Sequence, residues 1–63
     1  MSDALKPVQI QILDRSGNWL RVGQTVNNSQ MIQQHIKTTL AIHKKKTRAV
    51  DHEGRVLDIK DSA

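Results

Sequence analysis

Apolar and polar residues alternate in the stretch Pro7–Leu13, PVQIQIL. Val8, Ile10 and Ile12 fall on one side and Gln9 and Gln11 on the other, the pattern of a half-buried β-strand. Directly after it comes Asp14-Arg15-Ser16-Gly17. An aspartate at the first position of a type I turn accepts bonds from nearby backbone N–H groups. A glycine then takes the left-handed position that a β-carbon disfavours. This is the chemistry of a short hairpin loop ending in a G1 bulge. The chain then repeats itself, because ILDRSGNWLRV aligns with AVDHEGRVLDI, Asp14 on Asp51, Gly17 on Gly54, Leu20 on Leu57 and Val22 on Ile59. A hairpin is written twice.

The turns set an expected register. Leu13 opposes Trp19, Ile12 opposes Leu20 and Ile10 opposes Val22; in the second hairpin Val50 opposes Val56, Ala49 opposes Leu57 and Thr47 opposes Ile59. Directly opposed residues share a face. One face then collects Val8, Ile10, Ile12, Leu20, Val22, Ala49, Leu57 and Ile59. The other carries Gln9, Gln11, Arg21, Arg48 and Asp58, with the apolar pairs Leu13–Trp19 and Val50–Val56 near the turns.

Between the hairpins the period changes to that of a helix. Ile32, Ile36, Thr39, Leu40 and His43 form one stripe at 100° per residue, widened by Met31, His35 and Ile42. Asn27 reads as its N-cap, Gln30 as the capping-box partner, and Val26 with Met31 as the hydrophobic staple. Gln33, Gln34, Lys37, Ala41 and Lys44 face away from the stripe. A sheet with one apolar face and a helix with one apolar stripe bury each other in a two-layer α+β domain, ββαββ. An all-antiparallel sheet of this connectivity has strand order 2-1-3-4 or 1-2-4-3. The first is preferred, since Gly23 and Gln24 suit strand 2 to an edge. The core expected from these patterns is Ile10, Ile12, Leu20, Val22, Ile32, Ile36, Leu40, Leu57 and Ile59.

The 63 residues make a single domain, 1–63, with 1–6 and 61–63 as expected tails. A core this small supplies only about 3–5 kcal/mol unless something reinforces it. With no cysteine, disulfides and thiolate metal sites are excluded. MSDALKP does not read as a signal peptide, and no apolar run approaches the roughly 20 residues of a membrane span. A soluble cytoplasmic protein with no membrane partner is expected.

Charge adds the least ordinary feature. The net charge is only +4, yet no acidic residue lies between Asp14 and Asp51. That interval holds Arg15, Arg21, Lys37, Lys44, Lys45, Lys46 and Arg48. Lys37 and Lys44 fall within about 20° of one another on the helical wheel. Lys45, Lys46 and Arg48 continue from them toward strand 3. These five read as an electrostatic footprint for the phosphates of DNA or RNA. The ordinary alternative is a solvated helix end, where lysines suit the negative pole of the helix dipole.

Other chemistry is thin. His35 and His43 stand about 12 Å apart on a helix rising 1.5 Å per residue, too far to chelate one metal ion. His52 beside Asp51 and Glu53 lies in an exposed turn without the concave site that catalysis needs. The three glycines are isolated, so none forms a phosphate-cradling loop. No enzyme, metal, cofactor or small-molecule substrate is expected. Trp19, the one aromatic residue, reads first as the cross-strand partner of Leu13 and, beside Arg21, only second as a base-stacking surface. The competing function is a protein-interaction module, a homodimer meeting through Leu13, Trp19, Val50 and Val56 or through an open edge strand. In order 2-1-3-4 those two pairs fall at opposite corners of their face.

Overall fold

Two aspartates organise the two turns of a computed structural model that describes residues 6–61. Asp14 Oδ1 accepts from the backbone N–H of Ser16 and of Asn18, both at 2.9 Å, and from Ser16 Oγ at 2.8 Å. Asp51 Oδ1 accepts from the N–H of Glu53 at 2.9 Å and of Arg55 at 2.8 Å. Gly17 and Gly54 follow with φ of 90° and 86°. The strands these turns join are β1 (Pro7–Leu13) with β2 (Trp19–Val26), and β3 (Thr47–Val50) with β4 (Val56–Lys60). The helix α1 (Ser29–His43) lies between the hairpins in sequence.

The strands form one antiparallel sheet in the order β2-β1-β3-β4, and the whole is a small α+β domain of ββαββ order. The preferred strand order is therefore the one adopted. Helix α1 crosses one face and touches all four strands. Of the expected tails, residues 1–5 and 62–63 lie outside the described residues, while Lys6 precedes β1 and Asp61 follows β4.

The repeat becomes a local two-fold axis. Gln11 stands opposite Arg48, its own counterpart in the repeat, and the neighbouring pairs Ile10–Ala49 and Ile12–Thr47 exchange when the hairpins are exchanged. The axis runs through the Gln11–Arg48 pair, normal to the sheet.

Each hairpin departs from the expected register beyond its turn, because each outer strand carries one extra residue. In the first, Leu13–Trp19, Ile12–Leu20 and Gln11–Arg21 pair as the turn dictates, but Ile10 then meets Gly23 instead of Val22. In the second, Asp51–Arg55 and Val50–Val56 keep the register the turn dictates. Ala49 meets Asp58 instead of Leu57, Arg48 meets Ile59, and Thr47 meets Lys60 instead of Ile59. An extra residue reverses the facing of everything beyond it.

The core shrinks accordingly. Val8, Ile10, Ile32, Ile36 and Ala49 form its centre, with Leu40 packed against them and Ile12 buried beside the turn. Four residues expected in the core are exposed: Leu20, Val22, Leu57 and Ile59. Leu20 keeps its place opposite Ile12, but on an edge strand. Val22 is the extra residue of β2, and Ile59 has turned to the helix-free face. Leu57 lines an open groove with Asn27, Ser29, Ile32, Gln33 and Asp58. Thr25, opposite Val8, and Thr47, opposite Ile12, are buried in their place. Thr47 Oγ1 donates to the Lys45 carbonyl at 2.9 Å, which satisfies the buried hydroxyl.

The helix starts one residue later than expected. Asn28, not Asn27, is the N-cap, its Oδ1 accepting from Gln30 N at 3.0 Å and Met31 N at 3.2 Å. Gln30 thus occupies the second helical position, so it forms no capping box, and Val26 and Met31 no longer hold the staple positions. At the other end Lys44 adopts the left-handed conformation, φ 56°, and its N–H donates to the Leu40 carbonyl at 2.9 Å.

Candidate nucleic-acid interface

The face of the sheet opposite α1 is assembled from the odd-numbered residues of β1 and their partners. Arg21 on β2, Gln11 on β1, Arg48 on β3 and Ile59 on β4 stand in one row across it. Trp19 and Leu13 pair in the row nearer the first turn, and Gln24, Gln9, Val50 and Val56 make the row on the other side. No carboxylate belongs to any of these rows.

Arg48 organises this face. Its guanidinium carbon lies 4.1 Å from the centroid of the Trp19 ring, spanning β1 to reach β2. Its Nε donates to Gln11 Oε1 at 2.8 Å, and Gln11 Nε2 donates to Gln9 Oε1 at 3.2 Å. A cation stacked on a ring and anchored from one side is held in a single orientation.

The extra residue at Leu57 decides the electrostatics. In the regular register Asp58 would face Arg48 across the strands. Instead it opposes Ala49 on the helix side, where it lines the groove beside Ser29 and Gln33, and Ile59 takes its place next to Arg48. The ion pairs among the described residues all lie in the second turn. Arg55 pairs with Asp51 at 3.2 Å and with Glu53 at 2.6 Å, and His52 lies 3.7 Å from Glu53. Arg21, Arg48 and the lysines have no carboxylate within pairing distance among those residues.

The hydrogen bonds within the turns also set their acidity. Asp14 is held below the usual carboxylate range chiefly by the Asn18 N–H and the Ser16 hydroxyl. Asp51 is lowered chiefly by the Arg55 N–H, with the Glu53 N–H and the Arg55 charge adding to it and partial burial opposing.

The five expected contact cations divide between two sides. Lys37 and Lys44 are exposed, Lys37 on the outer surface of α1 and Lys44 at its end. Arg48 projects from the opposite face of the sheet. Lys45 and Lys46 are half-buried in the connector between them. The Lys46 carbonyl accepts from Leu13 N at 2.9 Å, which sets the lysine run beside the Leu13–Trp19 row.

The four residues expected at a dimer interface do share the helix-free face, at its two ends. Leu13 and Trp19 are half-buried, Val56 is exposed, and Val50 is already buried within the monomer. Among the described residues no group of three or more His, Asp or Glu side chains is gathered to hold a metal ion, and no helix is long and apolar enough to cross a membrane. His35 lines a shallow groove with Met31, Gln34 and Thr38.

The sequence pattern put Gln9, Gln11, Arg21 and Arg48 on one face, but it did not find the stack of Arg48 on Trp19. That contact spans three strands, so it depends on strand order as well as register. Searches against protein-family models, curated proteins and solved structures find no match to this chain.

Proposed function

We propose that this chain is a small non-enzymatic protein that binds nucleic acid through its phosphates, without sequence specificity. One observation carries the reading: a sheet face bearing Trp19, Arg21 and Arg48 and no carboxylate, with Lys46 bonded through its carbonyl to Leu13 at its edge and Lys44 and Lys45 preceding it in the connector from α1. Clustered cations without neighbouring acids attract a polyanion and release its counterions. Nothing here resembles a recognition helix docked in a groove, so the expected affinity is that of non-specific binding, on the order of 10⁻⁴–10⁻⁶ M at physiological salt.

The test is a salt titration with labelled oligonucleotides. Three to five phosphate contacts give a log–log slope of roughly −3 to −4.5 on duplex DNA, or about −2 to −3.5 on a single strand. Changing Lys44, Lys45 and Lys46 together to Gln flattens the duplex slope by up to about 2.7. Failure of the parent protein to bind at ~20 mM salt, where such attraction is strongest, refutes the reading.

A second reading, a homodimeric protein-interaction module, is favoured by the large apolar side chains left exposed. Val56, Leu57 and Ile59 on β4, and Leu20, Val22 and Val26 on β2, are each at least 40% exposed, and both strands are sheet edges. Sedimentation across a dilution series tests it: a monomer throughout rejects the dimer.

A further inference from the structure

We infer that the nucleic acid this protein takes is single-stranded, with an unpaired base stacked against Trp19 and its flanking phosphates on Arg21, Arg48 and the lysine run. The inference rests on the nucleic-acid reading above and names its ligand class. A duplex keeps its base faces stacked inside, where an indole on a flat sheet does not reach them. A single strand splays its bases onto aromatic side chains and lays its backbone on nearby cations.

The helix-free face has the parts for that arrangement in the right order. Trp19 is half-buried beside its cross-strand partner Leu13 and carries Arg48 over one face of its ring, so the ring is held in place and still presents surface. Arg48 lies against it at 4.1 Å and is oriented by Gln11 at 2.8 Å, so the cation does not have to be ordered when the strand arrives. Arg21 stands in the same row, opposite Gln11. Lys46 meets Leu13 through its carbonyl, so the lysine run joins the sheet at the Trp19 end of the face.

Charge complementarity is preserved by the irregularity of the second hairpin. With Asp58 opposite Arg48, the guanidinium would be paired and the face neutralised. The extra residue at Leu57 puts Ile59 there and carries Asp58 to the helix side. The cations of this face are therefore left available to phosphate.

The experiment compares a labelled homopyrimidine strand of about 12 nucleotides with a duplex of the same length, at ~20 mM salt. Anisotropy and Trp19 emission are read in the same titration. The single strand is expected to bind at least about fivefold more tightly and to quench Trp19, while the duplex leaves its emission unchanged. Trp19→Leu should weaken single-strand binding by about 5- to 150-fold, the range of a lost base–aromatic stack, with little effect on the duplex. Arg48→Gln, which leaves the indole in place, should weaken the single strand and reduce the quench, so the inference stays testable even if the Trp19 variant unfolds. Equal or tighter duplex binding with unquenched Trp19 overturns the single-strand assignment and leaves the broader reading standing. No binding to either probe overturns both.

Discussion

Gln11 and Arg48 are symmetry partners that bond directly to each other. They occupy equivalent places in the two hairpins, 37 residues apart, and the Arg48 Nε donates to Gln11 Oε1 at 2.8 Å. The two-fold relation of the backbones is broken here by side-chain chemistry, since one partner is a cation and the other an amide. Removing the amide leaves Arg48 without its anchor. Gln11→Ala is expected to cost about 1 kcal/mol, reduced from the usual worth of a charged hydrogen bond by the partial exposure of the pair. A double-mutant cycle with Arg48→Ala, read by urea denaturation, measures the coupling, and additive effects would show that the bond contributes nothing.

The turn glycines are needed for their backbone alone. Gly17 and Gly54 have positive φ, and a β-carbon at either would meet no atom within 4 Å. Gly17→Ala and Gly54→Ala are each expected to lose about 1–2 kcal/mol, whereas asparagine, which tolerates this conformation, loses less. Equal losses for alanine and asparagine in thermal melts would point to a cause other than the backbone.

Ile36 is fully buried between α1 and the sheet, whereas Leu57 is 40% exposed. Ile36→Ala should cost about 2–4 kcal/mol, enough to unfold much of a domain this size, while Ile36→Val should cost about 0.5–1.5. Leu57→Ala should cost clearly less than Ile36→Ala. Denaturant midpoints give all three.

Acid should weaken the fold through its turns. Both Asp14 and Asp51 have carboxyls lowered from 3.8 by bonds made only in the folded chain. Their contribution is therefore complete above the unfolded carboxylate range and disappears as pH falls through the lower folded values. Melting temperature should hold steady from neutral pH down to about 5 and fall below about 4. Asp14→Asn with Asp51→Asn should flatten the part of that fall due to these two groups, because an asparagine oxygen still accepts but does not titrate. An unchanged acid limb would place the sensitivity elsewhere.

Lys44 is a left-handed lysine at a position that suits glycine. Lys44→Gly should stabilise the protein by about 0.5–1 kcal/mol, by relieving its φ of 56°. The same change removes one cation, so a more stable variant with a flatter salt slope on nucleic acid is the expected outcome. A destabilised variant would show that the lysine side chain contributes more than its backbone costs.

Much of this architecture was legible because local chemistry dictated it. The aspartate–glycine turns, the helix stripe around Ile36 and the edge character of β2 each pointed to the structure adopted. What failed was parity. Gly23 lies within β2 and signals a bulge there, yet it served only as a mark of the edge. Nothing in Val56-Leu57-Asp58-Ile59 signals the second one, since every residue there is an ordinary strand former or a common surface acid. One extra residue reversed the facing of Asp58 and Ile59 and so changed the charge of a whole face. The helix start was misplaced by one residue for a different reason: Asn28 is as competent a cap as Asn27, and residue type alone does not choose between them.

The two-fold arrangement puts the turns at opposite ends of the sheet, but their charges are not equivalent. The end that holds Asp14 also holds Arg15, Lys44, Lys45 and Lys46. At the other, Asp51 and Glu53 outweigh the single charge of Arg55. The molecule is therefore electrically polar along its strands, like a compass needle. In the field of a polyanion, a molecule so charged is turned with its lysine end foremost and its second turn away.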